Sequence, residues 1–147
     1  MRLARIVAVL ALGGAGLAAA PGCRSFAKLE AHDPTVSEDE VHAAGDERAD
    51  PSLTPHLRFI LWNRERYPTE VVVAAIVATA ARRDHSAAAA VAELARCEDE
   101  EVRWHSVLAL RTLGGAKADR TRARVAAEDG SGLVRGAARS GVRRRSR

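Results

Sequence analysis

The sequence predicts an all-α fold: a short α-solenoid of antiparallel helix pairs, with about six helices after an N-terminal signal. Three observations carry that expectation. Residues 100–115, EEVRWHSVLALRTLGG, have the period of a helix, with Val102, Ser106, Ala109, Leu110 and Leu113 on one face. The same pattern recurs at a fixed spacing. Sliding 32 residues down the chain carries Val102-Arg103 onto Val134-Arg135, and sliding about 31 up it meets Val71 after Pro68-Thr69-Glu70. Self-similarity at this period marks stacked helical units, whereas an ordinary bundle of alanine-rich helices has the helical period without regular stacking. Finally, no run of β-branched residues alternates as a strand would; Val71-Val72-Val73 continues directly into Ala-Ala-Ile-Val-Ala.

Taken in order, residues 1–22 have the form of a secretory signal. Arg2 and Arg5 precede an apolar run from Ile6 to Ala20 that is shorter than the roughly 20 residues a membrane-spanning helix needs. Ala20-Pro21-Gly22-Cys23 then resembles the lipobox of bacterial lipoproteins, with a small residue before the cysteine. That resemblance implies lipidation at Cys23, with buried acyl chains holding the protein on a membrane. Cleavage after Ala20 with plain secretion, or an uncleaved anchor, are the alternatives. Residues 23–50 read as an acidic, flexible tether: from Glu30 to Asp50 eight acids face one base, Arg48, and no EF-hand spacing occurs.

The repeat domain is expected over residues 51–142. Its first helix starts with Thr54 as N-cap and Pro55 at the first helical position, turns Leu57, Ile60 and Leu61 inward, and ends at Tyr67-Pro68. A docking patch of Phe59, Trp62 and Tyr67 is an alternative reading of its aromatic side. Residues 69–83 form a nearly all-apolar and therefore buried second helix. Asp84-His85-Ser86 breaks it, and a third helix capped by Ser86 runs to Cys97 with Val91, Leu94 and Ala95 inward. Residues 100–113 are the fourth helix: Asp99, Glu100 and Glu101 suit its positive end, and Gly114-Gly115 stops it. A weak, arginine-crowded helix from about residue 118 to 128 and a last one over 133–142 complete the set. Residues 143–147 are a basic tail.

The pattern acidic turn, Val-Arg, small residue, small-Leu and Leu-Gly, carried by Asp99, Val102, Arg103, Ala109, Leu110, Leu113 and Gly114, resembles the HEAT-like repeats of the phycobilisome-lyase type. Asp129, Val134, Arg135, Ala138 and Val142 carry a second copy. The resemblance covers residues 68–142. It implies a structural ladder in which Arg103 and Arg135 pair with Asp99 and Asp129. It also implies a concave face lined by the second helix of each pair, with Trp104, Leu108, Arg111, Arg139 and Arg143 as candidate contacts for another protein.

No catalytic constellation is legible. The five histidines are scattered with no pair at i, i+4, and neither HExxH nor CxxC occurs, so no metal or cofactor is expected. Cys97 reads as a small buried hydrophobe, and nothing in the spacing pairs it with His85 or His105 as nucleophile and base. The formal net charge of +4 belongs to the C-terminal end, where residues 102–147 hold twelve Lys and Arg against three acids. That basic end lacks interleaved aromatics, so nucleic acid is not an expected partner. The expectation is a non-enzymatic, membrane-tethered scaffold of the cell envelope that binds another protein. Alternatives are a lyase-like or accessory enzyme subunit, as the resemblance allows, and a binder of anionic envelope polymer.

Overall fold

The structure is a computed structural model that describes residues 26–46 and 48–140. The signal, Cys23, Val142, Arg143 and the basic tail lie outside these residues. The described residues are helical and contain no strand. Eight α-helices follow one another: α1 (Ala27–Glu30), α2 (Glu38–Ala44), α3 (Thr54–Trp62), α4 (Thr69–Ala81), α5 (Ala88–Leu94), α6 (Glu100–Leu113), α7 (Ala116–Glu128) and α8 (Gly132–Arg139). Short 3-10 turns at Pro51–Leu53, Arg64–Arg66 and His85–Ala87 lead into or follow the helices.

The reading of 23–50 as a flexible tether is corrected for its described part. Residues 26–46 contain α1 and α2, and Leu29, Val41 and Ala44 of the helices and Val36 between them are buried in the common core. Four well-spaced apolar side chains suffice to dock an acidic segment, because its carboxylates can all point outward or cap. Ser37 accepts from the Glu40 N–H at α2's start. Glu40 Oε1 in turn accepts from Leu29 N–H at 3.2 Å, which ties α2 to α1.

Six helices fill residues 54–139, with shifted caps; α1 and α2 bring the described residues to eight, where about six were expected after the signal. Asp50, not Thr54, caps the first entry by accepting from Ser52 N–H; Thr54 Oγ1 instead accepts from Arg82. Asp84, not Ser86, caps the entry to α5. Leu57, Ile60 and Leu61 are buried in α3, and Val91 and Leu94 in α5. On α6 the five predicted positions are all buried, and so is Val107. That helix packs against α4, α5, α7 and α8, which explains why little of its circumference is polar. Gly114 and Gly115 end it at φ +65° and +90°, where a side chain would be strained.

Packing follows a simple rule. Within the chain order α3 meets α4, α5 meets α6 and α7 meets α8; across it, α2, α4, α6 and α8 touch in succession, as do α3, α5 and α7. Contacts between helix starts recur with the sequence period. Thr69 at the start of α4 donates to Asp99, the cap of α6, at 3.0 Å, and Ser131, the cap of α8, donates to Glu100 at 2.9 Å. Val102 and Val134 are both buried. Arg103 and Arg135, 32 residues apart, each send Nη1 onto the backbone carbonyls six and five residues earlier.

The expected ladder needs one correction. Asp99 pairs with neither arginine. Its Oδ1 accepts from the Glu101 and Val102 N–H groups, the Val102 bond being the main reason its carboxyl sits below the usual range. Asp129 takes the arginine: Arg103 Nε and Nη2 reach its two oxygens at 2.9 and 3.3 Å. The period explains this. The position 32 beyond Asp99 is Ser131, a cap; Asp129 matches Cys97. An equivalent pair, Arg58 Nε to Asp84 Oδ2 at 2.7 Å, lies earlier in the chain with the same 26-residue separation.

Candidate functional site

The row α2–α4–α6–α8 leaves an outer surface that is incompletely closed. Between α4 and α6 a groove of about 350 Å³ is lined by Val77, Ala80, Ala81, His105, Leu108 and Arg111, among others. A second hollow of about 300 Å³ adjoins it at His105 and is lined by Glu100, Glu101, Trp104 and Leu133. The small alanines of α4 make the groove, because they cannot fill the space beside α6. Val77 is 38 % and Leu133 62 % exposed, so this surface holds two of the three large apolar side chains left most open to solvent among the described residues.

Trp104 and Leu108 are half-buried here, and Trp104 meets the His105 ring edge-on with centroids 4.6 Å apart. Burial lowers the His105 pKa below the ordinary histidine value, against the opposing pull of Glu101. The ring is therefore a neutral, polarisable wall at pH 7. Charge is divided along the surface: Glu100 and Glu101 stand at the start of α6, and exposed Arg111 near its end, where Nη1 donates to Ser140 Oγ at 3.4 Å.

Arg139 does not join this set. Its Nη2 donates to Ala126 O on α7 at 3.0 Å, and it lines neither hollow. The expected burial of α4 all round is corrected at Val77. Val77 and Leu133 were missed because an apolar residue in an apolar run carries no sign of which neighbour will leave it uncovered. The aromatic patch of the first helix is likewise dissolved. Phe59 stacks under His32, Tyr67 is buried, and Trp62 alone stays open, 58 % exposed.

Cys97 is a buried free thiol whose pKa burial raises; its Sγ donates to Asp99 O at 3.4 Å. His85 Nδ1 meets Leu113 O at 2.6 Å, so neither of these two groups is engaged with the other. Among the described residues no three His, Cys, Asp or Glu side chains converge as metal ligands, and no helix is long and apolar enough to cross a membrane. Compared with known proteins, the chain matches no family model, no curated protein and no solved structure.

Proposed function

We propose that this chain is a short, HEAT-like α-solenoid that serves as a scaffold and binds another protein along the α4–α6–α8 surface. The observation that carries the proposal is the pair of half-open hollows that meet at His105 and set Val77, Leu108, Trp104 and Leu133 across three adjacent helices. The two rows of packed helices support the solenoid reading, as does the contact of His85, leading into α5, with Leu113 at the end of α6, the meeting of ends expected in an antiparallel pair. A surface of this kind, with acids at one end and Arg111 at the other, fits an amphipathic helix. Such a helix would lay its apolar face between α4 and α6, with its basic end toward Glu100 and Glu101. We place the scaffold at the cell envelope, tethered through a lipid on Cys23, on the basis of the signal-like and lipobox-like residues 1–23.

Site-specific photo-crosslinking in the producing cell tests the binding surface. A crosslinker at Leu108 and one at Leu133 should capture the same polypeptide, and one at Trp62, on the α3 side, should not. Identical products from all three positions, or unrelated ones from Leu108 and Leu133, would remove the assignment. Mass spectrometry of the mature N-terminus tests the anchor: a diacylglyceryl-modified Cys23 supports it, and an unmodified N-terminus at Pro21 replaces it with secretion.

A further inference from the structure

We propose that the contact between His32 and His56 is an acid-sensitive latch that holds α1 and the turn after it on α3. His32 occupies that turn at φ +53°, a left-handed conformation that a non-glycine residue adopts only when its surroundings hold it there. Three contacts do so. The ring lies flat on Phe59, with centroids 3.7 Å apart and planes 8° from parallel. Its Nε2 is 2.9 Å from His56 Nδ1, and its carbonyl accepts from Tyr67 Oη–H at 3.1 Å.

Two imidazole nitrogens at this distance share one proton: one ring donates and the other must be an unprotonated acceptor. One added proton leaves a single imidazolium that can still donate to its neutral partner; protonating both rings places two N–H donors head to head and two positive rings 5.0 Å apart. The groups around the pair do not offset that charge. The Arg66 guanidinium stands 5.5 Å from the Phe59 ring centre and adds a positive charge. Tyr67 is neutral and already donates to the backbone. On the turn itself, Asp33 is committed to the Thr35 N–H and hydroxyl, with Lys28 nearby. Among the described residues neither ring hydrogen-bonds to a carboxylate.

Burial, then the neighbouring His56, then Arg66 hold His32 below the ordinary histidine pKa of 6.5. A released His32 thus takes up a proton more readily than a docked one. The latch is at full strength above pH 6.5 and weakens as pH falls below it. The far end of the unit is held by groups that do not titrate in this range. Arg82 binds the carbonyls of Ala44 and Asp50 at 2.6 and 3.0 Å, so release swings α1 about a fixed end of α2 and uncovers Phe59 and Tyr67 beside Trp62.

Hydrogen exchange of the full chain, read by mass spectrometry at pH 7.5 and pH 5.0 and corrected for the intrinsic rate, tests the latch. Peptides covering residues 27–33 should exchange severalfold faster at pH 5.0, while α4 and α6 change little. H56Q keeps a hydrogen-bonding amide that cannot titrate and whose oxygen can accept from a protonated His32, so its 27–33 response should be clearly smaller, with burial and Arg66 still acting on His32. H105Q, on α6, should respond as the unaltered protein does. Equal protection of 27–33 at both pH values, or a full response in H56Q, overturns the proposal. Should H56Q fail to fold, NMR titration of the unaltered protein decides it: a His32 ring transition at or above the ordinary 6.5 would refute the latch.

Discussion

Arg103 reaches Asp129 with two nitrogens, at 2.9 and 3.3 Å, and uses its third to bind the carbonyls of Cys97 and Glu98. One guanidinium thereby joins the turn before α6 to the turn before α8. Both side chains are largely shielded from water, so the pair is not an ordinary surface ion pair. Arg103→Ala leaves the Asp129 carboxylate without its partner and should cost about 3 kcal/mol in chemical denaturation. Arg103→Lys should recover little, because one ammonium cannot span two oxygens and two carbonyls.

The same pair sets an acid limit. Burial tends to raise the Asp129 pKa, but the Arg103 hydrogen bond and the Ser131 N–H outweigh it, and the folded value lies below the usual 3.8. The stability this group contributes is complete above pH 3.8 and is lost as pH falls toward its folded value. Asp129→Asn should therefore be less stable at pH 7 and show a shallower loss between about pH 4 and pH 2. Parallel acid titrations followed by circular dichroism would reveal this; coincident slopes would contradict it.

Gly45 marks the closest approach between α2's end and α4: a Cβ built there would stand 2.8 Å from both Cα and Cβ of Ala78. Neither atom can rotate away. Gly45→Ala should cost about 1–3 kcal/mol by overpacking, and Gly45→Ala with Ala78→Gly should recover part of the loss. A thermal melt of the two variants provides the check.

Arg82 donates to Thr54 Oγ1 at 3.1 Å and to the carbonyls of Ala44 and Asp50. It satisfies the backbone where the chain crosses from α2 to α3. Arg82→Ala should cost about 2 kcal/mol and raise hydrogen exchange across residues 44–50 before any effect reaches α6. Uniform loss of protection along the chain would show that the clamp is not local.

Ser106 provides a change of opposite sign. Its Oγ is buried without a hydrogen-bond partner. Removing a hydroxyl that has already lost its water leaves no other group unpaired. Ser106→Ala should therefore be neutral or stabilising by about 1 kcal/mol, read as an unchanged or higher denaturation midpoint. A clear loss of stability would mean that the hydroxyl has a partner.

The local elements were largely legible. The stripe from Val102 to Leu113, the acids before it and Gly114-Gly115 after it delimit α6, because helix period, dipole and stop are all short-range effects. α1 and α2 bury only Leu29, Val41 and Ala44, and the density of acids around them reads as solvation. Two helices of four and seven residues have too few apolar positions to establish a period by themselves. They are helices because α3 and α4 cover their apolar sides.

By itself the sequence determined that the described residues are helical, where α6 stops, and that the Val-Arg opening of α6 recurs once, 32 residues on, since each depends on neighbours within a few turns of backbone. Only the tertiary structure decided that Asp129 rather than Asp99 meets Arg103, that Val77 and Leu133 stay uncovered while Tyr67 does not, and that His32 finds His56. Those outcomes depend on which helix lies alongside which, and burial and pairing between residues dozens of positions apart are properties of that packing.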